Sequence, residues 1–107
     1  MKIAFDIDNT LWLVNNERGQ SEPNTHLLNV LKWFCSNGDE VYLWSSGGIE
    51  YTKEIATKLG IMDIVKIIEK PDFGGHHPDM DIAFDDIEKN LARINILVKK
   101  IVSSGVE

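Results

Sequence analysis

Residues 2–11 read Lys2-Ile3-Ala4-Phe5-Asp6-Ile7-Asp8-Asn9-Thr10-Leu11, an apolar run that breaks into carboxylates two positions apart. Continuous apolar residues followed at once by polar ones suit a short buried strand over residues 2–7. Asp6, Asp8 and Thr10 then stand at or just beyond its end. Outward from this stretch, residues 11–22 begin apolar (Leu11-Trp12-Leu13-Val14) and turn polar through Asn15-Asn16-Glu17-Arg18-Gly19, the pattern of a loop or small hairpin.

A helix is expected from about Ser21. Pro23 suits its first turn, Leu27, Leu28, Val30, Leu31, Phe34 and Cys35 recur at helical spacing, and Gly38 closes it. Val41-Tyr42-Leu43-Trp44 reads as a second strand that ends in Ser45-Ser46-Gly47-Gly48, with Trp33 and Trp44 both on core-facing patterns. A second helix follows over residues 49–59 and stops at Gly60. Residues 64–68 are rich in β-branched side chains and read as a third strand. Pro71, Gly74, Gly75 and Pro78 leave no helical period in residues 69–80. Residues 81–84 form a fourth strand ending in Asp85-Asp86. A last helix is expected from about Glu88 to Val102, with Leu91, Ile94, Val98 and Ile101 on one face.

The order β-α-β-α-β-loop-β-α argues for an α/β domain, a Rossmann-like parallel sheet with helices on both faces. The helix-less connection is long enough for its task. Its twelve residues extend about 40 Å at roughly 3.3 Å each, and crossing three strands takes only about 15 Å.

The 107 residues make one small domain, residues 1–107, with apolar residues at 43% and charged residues at 26%, a globular balance. A formal charge of −6 disfavours non-specific nucleic-acid binding, which needs a basic face. One cysteine, Cys35, excludes an intrachain disulfide and a cysteine-based zinc site. The chain carries no signal-peptide apolar region and no 18-residue apolar run, so a cytoplasmic protein without membrane association is expected. The adjacent His76 and His77 point in divergent directions as a pair, and no role is assigned to them.

In open α/β sheets ligands bind beyond the carboxyl ends of the strands. The first strand delivers Asp6, Asp8 and Thr10 there, the second Ser45 and Ser46, the third leads to Lys70 and the fourth to Asp85 and Asp86. Clustered carboxylates repel unless a cation or proton neutralises them. Hard oxygen ligands with little imidazole or thiolate suit Mg²⁺, which completes its octahedron with waters and substrate phosphate.

Phe5-Asp6-Ile7-Asp8-Asn9-Thr10-Leu11 resembles the first motif of the haloacid dehalogenase (HAD) superfamily. Ser45 after Val41-Tyr42-Leu43-Trp44 resembles its second, Lys70-Pro71 its lysine motif, and Asp85-Asp86 after Ile82-Ala83-Phe84 its acidic fourth. The family's lysine often precedes a helix, which this sequence lacks. Asp6 to Trp12 taken with Phe84 to Asn90 is similar to the capless, magnesium-dependent phosphatases of that superfamily, and the 34 residues between Thr10 and Ser45 leave no room for a cap.

The resemblance implies a phosphatase with Asp6 as nucleophile and Asp8 as general acid and base. It implies Mg²⁺ held by Asp6, the Asp8 main-chain carbonyl and Asp85, with Asp86 a water-mediated ligand. Ser45, the Ser46 amide and Lys70 would hold the phosphoryl oxygens, and Thr10 would brace the Asp8 loop. The substrate would be a phosphorylated small molecule or macromolecule. Asp8 argues against a dehalogenase, and the missing cap against a mutase, which must shield its intermediate from water. Two other classes stand beside this one. A catalytically silent binding module would keep the same motifs. A receiver-type phosphoacceptor domain needs an aspartate closing the third strand, where Ile68-Glu69-Lys70 offers none.

Overall fold

Lys2–Asp6 forms β1, which pairs in parallel on both sides, and so its apolar residues are wholly buried. A computed structural model describes residues 1–15, 19–72 and 75–99. After β1 the chain makes an antiparallel hairpin, β2 (Trp12–Asn15) and β3 (Gln20–Pro23), and then α1 (Thr25–Ser36). There follow β4 (Glu40–Trp44), α2 (Ile49–Lys58), β5 (Lys66–Ile67), β6 (Ile82–Asp85) and β7 (Ile94–Leu97). The main sheet has the order β5-β4-β1-β6-β7, and every pairing in it is parallel. Among the described residues the architecture is therefore α/β, with a five-stranded parallel sheet and two helices. Among the described residues no helix is long and apolar enough to cross a membrane.

Side chains alternate across the sheet, and the two faces are covered differently. Ile3, Phe5, Val41, Leu43, Ile82 and Phe84 face both helices, meeting Leu28 and Leu31 of α1 and Ile55 and Ala56 of α2. Phe5 and Phe84, partners in register, stack at 4.5 Å between ring centroids. Ala4, Trp44 and Ala83 face the other way and are covered by Met80, Leu91 and Ala92. Those three residues lie in loops before β6 and before β7. The expectation of helices on both faces is thus corrected: both described helices share one face, and irregular segments cover the other. Steps from β1 to β4 and from β4 to β5 move in one direction along the sheet, so two same-handed crossovers place α1 and α2 together. The connection from β5 to β6 spans β4 and β1, and the residues before β6 pack on the helix-free face.

Other expectations differ from the structure as well. Residues 88–99 contain no helix; they run irregularly and then form β7 beside β6, the register pairing Ile82 with Ile94 and Phe84 with Ile96. Asn95 stabilises this turn-and-strand path by accepting the amide hydrogens of Leu91 (2.8 Å) and Ala92 (3.0 Å) on its side-chain oxygen. Ile101 and Val102, the end of the expected helix, lie outside the described residues. The third strand contracts from residues 64–68 to Lys66–Ile67. Trp33 is 58% exposed rather than packed inside.

The first helix starts at Thr25, not Ser21, and Pro23 closes β3 instead of opening the helix. Asn24 decides this boundary. Its side-chain oxygen accepts the Leu27 amide at 3.2 Å as an N-cap, while its Nδ2 donates to the Thr10 carbonyl at 2.9 Å. Its own amide donates to the Leu11 carbonyl at 2.8 Å. One side chain thus fastens α1 to the turn that follows Asp8. Asn24→Ala removes the cap and one further hydrogen bond and is expected to lower stability by about 1–2 kcal/mol. Urea unfolding reads this as a lower midpoint, and an unchanged midpoint contradicts it.

Candidate active site

At the carboxyl end of β1 the chain must turn sharply, and Asn9 supplies the turn. It sits in the left-handed region at φ 62°, which asparagine tolerates better than most residues. The amides of Thr10, Leu11 and Trp12 all point at the Ile7 carbonyl, at 3.1, 3.0 and 3.0 Å. The result separates the two carboxylates of the Asp6-x-Asp8 pair. Asp6 is buried, Asp8 is exposed, and Thr10 is fully buried with its hydroxyl donating to Asp6 Oδ2 at 3.1 Å.

β6 lies beside β1 and delivers Asp85 next to Asp6. Asp85 Oδ1 accepts the Ile87 amide at 3.0 Å. Lys70 comes in from the irregular connection after β5, and its ammonium lies between the two carboxylates, 3.0 Å from Asp6 Oδ1 and 2.6 Å from Asp85 Oδ2. All three side chains are nearly inaccessible to solvent. Asp86 completes the cluster: oxygens of Asp6, Asp85 and Asp86 lie within 4.8 Å of one another. Lys70 therefore sits in the group that the sequence placed it in, although the described residues of the β5–β6 connection form no helix. Lys66 lies elsewhere, exposed and paired with Glu40 at 2.9 Å.

One ammonium faces three carboxylates, and the electrostatics show the deficit. Burial raises the Asp6 carboxyl above its ordinary range, and Asp85 adds to this, against the opposing charge of Lys70. Asp86 rises to about 7, first through burial and then through its hydrogen bond and charge contact with Asp6 and the charge of Asp85. Burial pulls the Lys70 ammonium down, but its bond to Asp85 and the charge of Asp6 prevail, and it ends above its usual value. Lys70 is thus a fixed cation at any working pH, while the carboxylates still carry excess negative charge. The donor set fits a hard divalent cation: three carboxylates converge, one of them without a cationic partner among the described residues.

A stability prediction follows from these shifts. Asp86 and Asp6 hold protons in the folded state that the unfolded chain has already released, so stability falls as pH rises from about 4 to about 7. The lowered Asp39 and Glu40 act in the opposite sense, but below that window. In EDTA, the melting temperature is expected to be higher at about pH 5 than at about pH 7.5, and Mg²⁺ is expected to restore more of it at the higher pH. A melting temperature that rises across this range contradicts the charge deficit.

β4 delivers the remaining candidates. Asp6 and Trp44 are register partners, so Ser45 stands one residue beyond the position level with Asp6. Ser45 is buried, and its Oγ accepts the Gly47 amide at 3.0 Å, shaping the turn that opens α2; Ser46 is exposed on that turn. His76 is exposed. The His77 ring lies 6.1 Å from the Trp44 ring on the helix-free face, outside the carboxylate cluster. Asn90 accepts from Asn95 at 3.2 Å and serves the path into β7.

Tyr51 was not among the expected residues. From the first turn of α2 its hydroxyl donates to Asp8 Oδ1, joining positions 43 residues apart. Burial first, and then the bond to Asp8, push the Tyr51 hydroxyl well above its ordinary range, so it remains a donor. Its one sequence signal is its place, three residues beyond the Ser45–Gly48 turn.

Compared with models of known protein families, with curated proteins and with solved structures, the chain finds no match in any of the three.

Proposed function

We propose that the chain is a Mg²⁺-dependent phosphomonoester hydrolase of the capless HAD type, working through an aspartyl-phosphate on Asp6. The observation that carries this reading is the Lys70 ammonium bridging Asp6 and Asp85 inside a three-carboxylate cluster, with Asp8 held apart and exposed. A nucleophile must be ionised and aimed, and Lys70 and Thr10 do both for Asp6. A proton donor must reach the leaving group at the site mouth, where Asp8 stands.

In this reading an Asp6 oxygen attacks phosphorus in line, and the ester oxygen departs with a proton from Asp8. Water then attacks the same phosphorus, gives its proton to Asp8, and phosphate leaves as the Asp6–phosphorus bond breaks. Lys70, Ser45 and the Ser46 amide hold the phosphoryl oxygens. Bound Mg²⁺ would draw charge from those oxygens.

Asp6, Asp85 and Asp86 supply the converging carboxylate oxygens that would hold the ion, and the Asp8 main-chain carbonyl is a ligand that the resemblance implies. Asp85 accepts hydrogen bonds on both oxygens, from Lys70 and the Ile87 amide, as Asp6 does from Lys70 and Thr10, and Asp86 has no cationic partner among the described residues. In this reading Asp85 also anchors Lys70, and Asp86 stands close enough to serve as a direct ligand beside it. The test is release of p-nitrophenol from p-nitrophenyl phosphate in Mg²⁺ and in EDTA. Turnover that needs Mg²⁺ supports the reading. A folded protein that binds Mg²⁺ calorimetrically and hydrolyses neither this ester nor a panel of phosphate esters points to the binding module instead.

A further inference from the structure

Asp8 is exposed, and an exposed aspartate samples several rotamers unless something holds it. One side-chain bond to it is present among the described residues, from the Tyr51 hydroxyl to Oδ1. Tyr51 is itself held. Its ring packs against the main core, and its edge lies over Gly47, where an added Cβ would come within 2.9 Å of Cδ2 and 3.3 Å of Ser45 Oγ. The absence of a side chain at position 47 therefore lets the ring sit on the turn that Ser45 shapes. Tyr51 joins the two loops of the site, the one carrying Asp8 and the one carrying Ser45 and Ser46.

We infer that Tyr51 is a positioning residue that aims the Asp8 carboxyl at the leaving-group oxygen, an inference that rests on the phosphatase reading above. A carboxyl group has two oxygens. Tyr51 occupies Oδ1, so the transferable proton is carried on Oδ2. As the Asp6–phosphorus bond forms and the ester bond breaks, the Oδ2 proton passes to the departing alkoxide or phenoxide. As water attacks and the Asp6–phosphorus bond breaks, a water proton returns to Oδ2. Tyr51 loses and gains no proton in either step. The tyrosine also ties the Asp8 loop to the phosphate-binding turn through a single ring, which fixes how far the Asp8 carboxyl stands from a phosphoryl group held at that turn.

The consequence depends on the leaving group. p-Nitrophenolate departs readily without a proton, whereas phenolate needs one more. The value of kcat/KM covers only steps up to departure of the leaving group, so it isolates the proton transfer from later hydrolysis. With Tyr51→Phe, kcat/KM for phenyl phosphate is expected to fall about 10-fold to 100-fold, part of the 10²–10⁴ that a placed general acid supplies. For p-nitrophenyl phosphate the fall is expected to stay under about threefold, with the melting temperature nearly unchanged because the ring remains. Equal losses on the two esters, or no loss on either, overturn the inference while leaving the phosphatase reading intact. Wild-type protein that hydrolyses neither of these two esters nor any other of the phosphate-ester panel overturns both.

Discussion

Asp6→Asn is expected to abolish phosphatase turnover, with kcat falling on the order of 10⁴-fold or more, while the protein stays folded. An amide of the same shape keeps the acceptor for Thr10, but it is not a nucleophile and cannot form an acyl phosphate. The substitution also removes one negative charge from a cluster in which three carboxylates share one ammonium. Asp85 still holds Lys70 at 2.6 Å, so the cation is not stranded. Stability should therefore change by no more than about 1 kcal/mol, and the stability lost with rising pH should shrink, since Asp86 is raised partly by Asp6. Turnover and urea unfolding measured on one preparation decide the matter. Activity within tenfold of wild type excludes Asp6 as the nucleophile. Lost activity together with a collapsed fold says nothing about chemistry, and Asp6→Glu then serves, because it keeps the charge and displaces the attacking oxygen.

The parts of this site legible in the sequence are those set by local rules. Apolar runs ending in Asp6, Ser45 and Asp85 read as strands, and a parallel sheet brings such ends to one edge whatever the order of its strands. For residues 11–22 an apolar stretch followed by polar residues left a loop or a small hairpin open, and the pairing of β2 with β3 decides for the hairpin. Helix boundaries were readable where glycine ended them: Gly38 and Gly60 both take positive φ just past α1 and α2. Residues 88–99 misled because two periods coexist there. Leu91, Ile94 and Val98 repeat as a helix does, while Ile94 and Ile96 alternate as a strand does, and the open edge of β6 selects the second pattern. Trp33 fell on the helical repeat but beyond the width of the face that α1 buries. The Tyr51–Asp8 bond and the covering of one sheet face by loops are long-range outcomes. No spacing of residues encodes a contact between positions 8 and 51 until the sheet has been assembled.

Lys70 is the residue whose removal should be felt most widely. Lys70→Met keeps the length and apolar stem of the side chain and deletes the charge, leaving Asp6, Asp85 and Asp86 facing one another. Removing one partner of a buried ion pair costs about 3–5 kcal/mol, because the other charge is left buried and unpaired. Here the remaining carboxylates have an escape, since they can take up protons. The cost is therefore expected to depend on pH: about 3 kcal/mol near pH 8 and little near pH 5, where protonation replaces the ammonium. The sign follows from linkage. Deleting Lys70 raises the folded-state carboxyls further above their unfolded values, so the variant binds more protons folded than unfolded, and its stability falls as pH rises through that range. Mg²⁺ carries the charge that the variant lacks and should recover part of the loss near pH 8. Catalysis is expected to fall about 10²-fold to 10³-fold even with Mg²⁺ saturating, because the donor aimed at Asp6 and at the phosphoryl oxygens is gone. Denaturation at the two pH values, with and without Mg²⁺, separates the contributions. A variant equally stable at both pH values would mean that Lys70 is not the counter-charge of the cluster, and the assignment of Asp6 as an ionised nucleophile would fall with it.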